Sequence, residues 1–516
     1  MDRPAARGAE TSWLALLPYA LGAILRLIRI QGPVVGVHSW RQADTAAIAR
    51  HFAEGGMRWW LPQIDWGGAS AGTVEAEFPL YPYLVAGLYR LLGVHEWLAR
   101  GLTITASLLS LWLVIRLGRR LLGEGAGWWG GMAWAVLPLS VYYGRTVQAE
   151  SLLLLLAACS LDRFLAWQDH GRWRDLVLSW LAFSGCGLLK VLPLFWLGIP
   201  LAWLWLRAHG WRALSRSPIW LYPLGALLLT AAWYVHAHQL GQQSGLSFGF
   251  WMGDTNRYSW STLLGPGYWL NLSLRTVVRG LAVLALPLLL VGLRDSLRPM
   301  ATVHQDSLPV DPRRAPVLAL GLLAVLMAGA TAPESSSVHE YYQLPLLLFA
   351  CPLIGLGVVQ LGQGHRRWIR PAAGSILVIA LLILSLDYWR VEARQEALLM
   401  PIAAAIQQQT TPAERIVSVS GPDPTLLNLA RRQGWLTSPK KVDGEALNRW
   451  QAEGARAVAG SFEVIESYSP FPRGRTRLRL RTLICGSSAS ACHGPEGASF
   501  YVLHLEGSGP GSRPAA

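Results

Sequence analysis

The chain has 516 residues, 52% hydrophobic and only 15% charged, with 26 Trp and a formal charge of +14. So few charges beside so much Leu and Trp exclude an ordinary soluble globule, and several apolar runs of about 17–22 residues are long enough to cross a ~30 Å hydrocarbon core. The basic residues are spread between the apolar runs instead of gathered on one segment, which excludes a nucleic-acid partner and matches positive-inside topology.

Taken in order, the apolar runs predict a mostly α, polytopic membrane protein of about eleven transmembrane helices. They lie near 12–30, 98–116, 127–143, 148–164, 176–190, 191–206, 218–237, 274–293, 315–331, 341–361 and 372–388. Arg3 and Arg7 precede the first run as in a signal sequence, but no small-x-small cleavage site follows, so the first helix is read as uncleaved. With the N-terminus in the cytoplasm, Arg116, Arg119, Arg120, Arg163, Arg172, Arg174, Arg207, Arg212 and Arg216 all fall inside. So do Arg294, Arg298, Arg313, Arg314, Arg366, Arg367 and Arg370, and every short loop on that side is then basic.

The opposite loops differ in kind. Residues 31–97 form a long first external loop, with an interfacial helix expected from Ala43 to Gly55 and an apolar one from Pro82 to Leu92. Residues 238–273 form another, rich in Gly, Ser and aromatics. The expected organisation is a membrane domain over 1–390, a small external α/β domain over 391–506 and a disordered tail over 507–516. In that second domain Arg415–Gly421 alternates like a strand, Pro424–Gln433 reads as a helix after a Pro/Asp turn, and 455–459 and 499–505 read as strands. Gly421-Pro422-Asp423-Pro424 lacks the Gly-rich fingerprint of a phosphate loop. Cys159, Cys186 and Cys351 sit in apolar runs as packing residues, while Cys485 and Cys492 can pair if the tail faces an oxidising compartment.

The polar residues that are awkward in such a protein fall on the external face. They are His38, Arg41 and Asp44 in the first loop, Glu75 and Glu77 before Phe78-Pro79-Leu80-Tyr81-Pro82, Arg145 and Glu150 between the third and fourth spans, Lys190, and His339-Glu340-Tyr341-Tyr342. Each taken singly fits pairing or snorkelling at a helix end, but ionisable groups arriving at one interface from several segments point to a site. Cations with carboxylates at that interface suit a lipid-linked phosphate. A sugar leaving from such a phosphate needs one general base for the acceptor hydroxyl and cations for the developing charge, and no second carboxylic acid. A single in-line displacement would invert the anomeric configuration. Trp59, Trp60 and Trp66 are read as membrane-interface anchors ahead of sugar-stacking faces.

The stretches His38-Ser39-Trp40-Arg41-Gln42-Ala43-Asp44-Thr45, Glu77-Phe78-Pro79-Leu80-Tyr81-Pro82 and His339-Glu340-Tyr341-Tyr342-Gln343-Leu344-Pro345 occur in an order that resembles the GT-C glycosyltransferases. Among these, the resemblance is to the protein O-mannosyltransferase and aminoarabinose transferase superfamily, over most of residues 12–390. It implies the GT-C fold and an inverting glycosyltransferase that moves a sugar from a polyprenyl-phosphate donor to a lipid, polysaccharide or protein acceptor on the periplasmic face of a bacterial inner membrane. Asp44 matches the family's catalytic Asp, and Lys190 its phosphate-binding Lys, with Arg145 and Arg41 as further phosphate ligands. Glu77, Glu150, His38, His339, Glu340, Tyr341 and Tyr342 would line the cavity. Two departures count against carrying over the aminoarabinose substrate: Thr45 follows Asp44 where many relatives have Asp-Glu, and Glu77 lacks a following Lys. Metal use varies in that superfamily and this sequence has no Asp-x-Asp, so a divalent metal is left undecided, no metal ligand is assigned and no other cofactor is named. The rival readings are a lipid or glycan transporter or flippase, which predicts midplane charges and an internal repeat, and a non-catalytic assembly protein centred on the external tail.

Overall fold

The computed structural model describes residues 12–215, 218–248, 259–298, 311, 313–463, 474–493 and 499–505. Arg3, Arg7, Arg216, the middle of the second external loop and the tail from 507 lie outside them. The chain divides into two compact units: residues 1–30, 99–236 and 254–387 form the first, and 31–98, 237–253 and 388–516 the second.

The first unit is helical, and helix covers most of each expected apolar run that it holds. Four helices along the chain are long and apolar enough to cross a membrane: Glu96–Leu122, Ile219–Ser244, Leu346–Gln363 and Arg367–Gln409. A fifth arises if the pair Pro266–Gly280 and Ala285–Ser296, bent by 98°, counts as one span. Other expected runs are interrupted or short. The run at 127–143 breaks at Leu137, because Pro138 disfavours the helical conformation in the residue before it. Leu14–Leu27 and Pro316–Ala330 stay below 18 residues, and Glu150–His170 carries Asp162, Arg163 and Asp169. Arg116 and Arg163, both read as cytoplasmic, pair with buried Asp162.

Helices in this unit approach closely where side chains are small. At Gly355 an added Cβ would lie 2.0 Å from the Ala126 carbonyl, so only glycine permits that crossing of Leu346–Ile383 with Glu124–Val136. Buried Arg26 ties three more helices together. It donates to Ser107 Oγ at 2.9 Å, to the Ala135 carbonyl at 3.1 Å and to Ser140 Oγ at 2.7 Å. Such a charge is tolerable in the interior because its donors are satisfied.

The second unit is built on a five-stranded sheet of β1 (Arg415–Val419), β2 (Gly434–Leu436), β3 (Ala455–Ser461), β4 (Cys492–His493) and β5 (Phe500–His504), in the order β2-β1-β3-β5-β4. β1 runs parallel to β2 and β3, and β5 antiparallel to β3 and β4. Strand alternation splits its core between two faces. Val417, Val458, Tyr501 and Leu503 pack with Trp450, Leu480 and Ile484, whereas Ile416, Ala457, Ala459 and Val502 pack with Ile402, Ile406 and Leu426. Cys485 and Cys492 are joined as a disulfide.

The first external loop belongs to this same unit. Its Ser39–Glu54 helix starts four residues earlier than expected, and it is buried on most sides instead of lying at an interface. Its Ala43, Ala46, Ala47 and Ala49 are small enough for packing against Leu80–Leu92 on one side and Thr425–Ala430 on another. His38 opens it with a left-handed φ of 55°, and Gly55, whose N–H donates to the His51 carbonyl, closes it.

Candidate functional site

The predicted residues fall into two constellations. His38, Arg41, Asp44 and Glu77 belong to the second unit. Arg145, Glu150, Lys190 and residues 339–342 belong to the first.

In the second unit Asp44 lies one and a half turns into its helix and is only 3% exposed. Among the described residues its side-chain hydrogen bond comes from Trp66, whose indole N–H donates to Oδ1 at 2.8 Å. Burial pushes the Asp44 carboxyl up to about 8. The Trp66 bond and the charge of Arg41 pull the other way, while Asp65 and Asp423 add to the rise. The result is a carboxylate that ionises near neutral pH and is basic once it does. Trp66 was expected at a membrane interface, yet its indole is half-buried against two apolar clusters of this unit and its N–H is committed to Asp44. Trp59 and Trp60 do remain exposed.

Arg41, expected to grip phosphate, donates to Glu77 Oε1 at 2.7 Å and lies 5.1 Å over the Phe248 ring. Its charge is therefore already matched. Glu75 accepts from Ser247 Oγ at 2.5 Å. A further carboxylate escaped the sequence reading: Asp65, 1% exposed, takes both oxygens to Arg50 at 2.9 and 2.6 Å and meets His51 Nε2 at 2.9 Å. Burial alone would raise Asp65, but Arg50 and His51 outweigh it and hold the group below its ordinary range. Nothing in the local sequence marks this pairing, since Asp65 sits in a turn-rich loop 14 residues beyond His51.

In the first unit Lys190 terminates Trp173–Leu189 and reaches Glu150 Oε1 at 2.5 Å. Glu150 is the first residue of Glu150–His170, where the helix dipole favours an anion. The Lys190 ammonium also lies 4.5 Å from the Tyr341 ring centre and 5.3 Å from that of Tyr342. His339 stacks on the same two rings. The structure thus gathers Lys190, Glu150, His339, Tyr341 and Tyr342, and Lys190 is held by a carboxylate and two aromatic faces. Arg145 is 1% exposed, 5.7 Å over the Tyr142 ring. Glu340 accepts from Tyr143 Oη at 2.8 Å and pairs with Arg279, which also donates to Asp387 at 2.9 Å. Arg279 was missed although its signal was present, an arginine inside an apolar run. Among the described residues no three His, Cys, Asp or Glu side chains gather at metal-ligand spacing.

The dolichyl-phosphate-mannose-protein mannosyltransferase family matches residues 76–236, a stretch that holds Glu77, Arg145, Glu150 and Lys190 and begins after Asp44. The crystal structure of ArnT from Cupriavidus metallidurans in the apo state superimposes with a TM-score of 0.66 at 17% identity, covering 97% of this chain and 99% of that one. The chain has the GT-C fold of ArnT. The same ArnT bound to undecaprenyl phosphate gives a TM-score of 0.65 at 15% identity, over 98% of this chain and 99% of that one. The oligosaccharyltransferase AglB from Archaeoglobus fulgidus, in complex with an inhibitory peptide and a dolichol-phosphate, gives 0.51 at 11% identity, over 88% of this chain and 70% of that one. The chain matches no curated protein in sequence. It is a multi-pass membrane protein.

Proposed function

We propose that the chain is a glycosyltransferase that moves a sugar from a polyprenyl-phosphate donor to a hydroxyl on a lipid, polysaccharide or protein acceptor, with inversion, at the periplasmic face of a bacterial inner membrane. The observation that carries this reading is Asp44: a buried carboxylate with one indole donor, raised to about 8, is poised as a general base. Its role is to take the acceptor's hydroxyl proton as the acceptor oxygen attacks the anomeric carbon. The bond from that carbon to the phosphate oxygen breaks, and its electron pair leaves with the polyprenyl phosphate.

Lys190, Arg145 and Arg41 are assigned to the donor phosphate, and Arg41 would share its guanidinium between that phosphate and Glu77. Lys190 is matched by Glu150, so binding an anion there requires the ammonium to be shared between carboxylate and phosphate oxygens. In the first unit Glu150, His339, Glu340, Tyr341 and Tyr342 are assigned to the polar surroundings of that phosphate, and in the second unit His38 is assigned to those of Asp44. The same reading has about eleven crossings, a cytoplasmic N-terminus, and residues 31–97 and 391–506 outside. The Cys485–Cys492 disulfide suits an oxidising compartment and supports that orientation.

The test is to incubate the purified full chain with a panel of polyprenyl-phosphate sugars and candidate acceptors, and to follow free polyprenyl phosphate. Asp44→Asn should abolish release while the protein folds and inserts normally. Unimpaired turnover by that variant would sink the assignment.

A further inference from the structure

The loop that carries Trp66 is held from two sides, both within the second unit. On one side it is fastened to the Asp44 helix: Trp66 donates to Asp44, and Asp65 is clamped by Arg50 and His51, six and seven residues further along that helix. On the other side it is fastened to the sheet. The N–H of Gly434, first residue of edge strand β2, donates to the Asp65 carbonyl at 2.8 Å, and the Gly434 carbonyl accepts from Gly68 N–H at 2.8 Å. Arg415, first residue of β1, donates to the Ala69 carbonyl at 2.5 Å. Gln433 lies 3.4 Å from His51.

These bonds fix a register. At Gly434, φ is +154° and an added Cβ would meet the Ile416 carbonyl at 1.8 Å, so only glycine lets β2 lie this close to β1 while its N–H and carbonyl turn to the loop. The loop in effect adds a short extended segment to the exposed edge of β2. Trp66 is then pressed between the cluster around Ile48, Phe52 and Ile64 and the cluster around Ile402, Ile406 and Leu426. Its indole has little freedom left, so its N–H points at one place.

We propose that the C-terminal sheet is a positioning device for the catalytic carboxylate: the edge of β2, with Arg415, fixes the 65–70 loop, and Trp66 of that loop sets the orientation of Asp44. The proposal rests on Asp44 being the base. It gives the 391–506 segment a role in the chemical step itself, which neither acceptor guidance nor simple packing would supply. A base must be held within a fraction of an ångström of its productive position, and a misplacement of 1 Å costs on the order of a hundredfold in rate. The charged groups facing Asp44 are Arg41 on its own helix, Asp65 on the loop and Asp423 after β1. Trp66 is the neutral donor among them, and its bond favours the ionised form.

Trp66→Phe keeps the packing and deletes the N–H. It should lower kcat about 10- to 100-fold, leave the donor KM within about twofold, and move the acid limb of the rate profile to higher pH, because the carboxylate loses a donor. Arg415→Ala, at a half-buried position outside both the Asp44 helix and the loop, should lower kcat in the same direction by about 3- to 10-fold, with Arg415→Lys restoring it. Unchanged kcat and acid limb in Trp66→Phe would overturn the proposal. A normal Arg415→Ala beside an impaired Trp66→Phe would remove the sheet from it. An active Asp44→Asn would overturn the base assignment itself, whereas an inactive Asp44→Asn beside a normal Trp66→Phe would overturn only the positioning role.

Discussion

Asp44 and Asp65 lie in the same unit, both almost wholly buried and both linked to the same helix and loop. Their surroundings drive them apart. Asp65 meets Nη2 of Arg50 with both oxygens and a ring nitrogen of His51 with one, so it stays ionised and structural. Asp44 has one neutral donor, and its nearest charges are Arg41, Asp65 and Asp423, so desolvation dominates. Burial sets the cost in each case, but the partner decides whether that cost leaves a clamp or a base. The pair in the first unit follows the Asp65 pattern, with Glu150 matched by Lys190 at 2.5 Å.

That contrast can be broken by exchanging charges for neutral isosteres. The largest effect should come from Asp44→Asn, which removes the base and should cut sugar transfer by about 10²- to 10⁴-fold in the polyprenyl-phosphate release assay. Asp65→Asn should act on folding instead. Leaving Arg50 buried without its carboxylate should cost about 3–5 kcal/mol, read by chemical or thermal unfolding in detergent. If Asp65→Asn left stability intact and shifted only the rate profile, the division between clamp and base would fail.

Lys190→Met should raise the donor KM about 10- to 100-fold, from loss of a charge-assisted contact to phosphate. Pairing it with Glu150→Gln separates binding from folding. The double variant should recover stability lost by the single one, because no unpaired carboxylate remains, but it should not recover donor affinity. A double variant with normal KM would remove Lys190 from the donor site.

The remaining effects concern pH. Transfer should rise with pH up to about 8, as Asp44 loses its proton. Stability should run the other way: the folded state holds this proton where the unfolded chain, with its ordinary carboxyl, has released it. Asp44 therefore lowers stability progressively as pH rises from its unfolded value of 3.8 to about 8. Asp44→Asn should have the higher Tm, with a gap that widens across that window. A constant gap would mean that Asp44 ionises at its ordinary pKa.

Much of this was legible in residue order. The apolar runs fall on helices, and the strands expected at 415–421, 455–459 and 499–505 correspond to β1, β3 and β5. Asp44, Glu77, Glu150 and Lys190 stood out because charges are rare in so apolar a chain. What could not be read was pairing. Nothing between Arg41 and Glu77, or between Lys190 and Glu150, announces that each cation is already neutralised. Asp65 looked like a loop residue and Trp66 like an interface anchor, since their partners lie on a helix 14 to 22 residues back.

The sequence by itself determined that the chain belongs in a membrane, where its helices run and which carboxylates needed an explanation, because hydropathy and helical propensity act over a few neighbouring residues. Tertiary structure alone decided which of those carboxylates is clamped by cations and which is buried with a single neutral donor. That choice depends on what lies within hydrogen-bonding distance in a desolvated interior, and for Asp44 that neighbour is an indole held in place by the edge of a sheet almost 400 residues further along the chain.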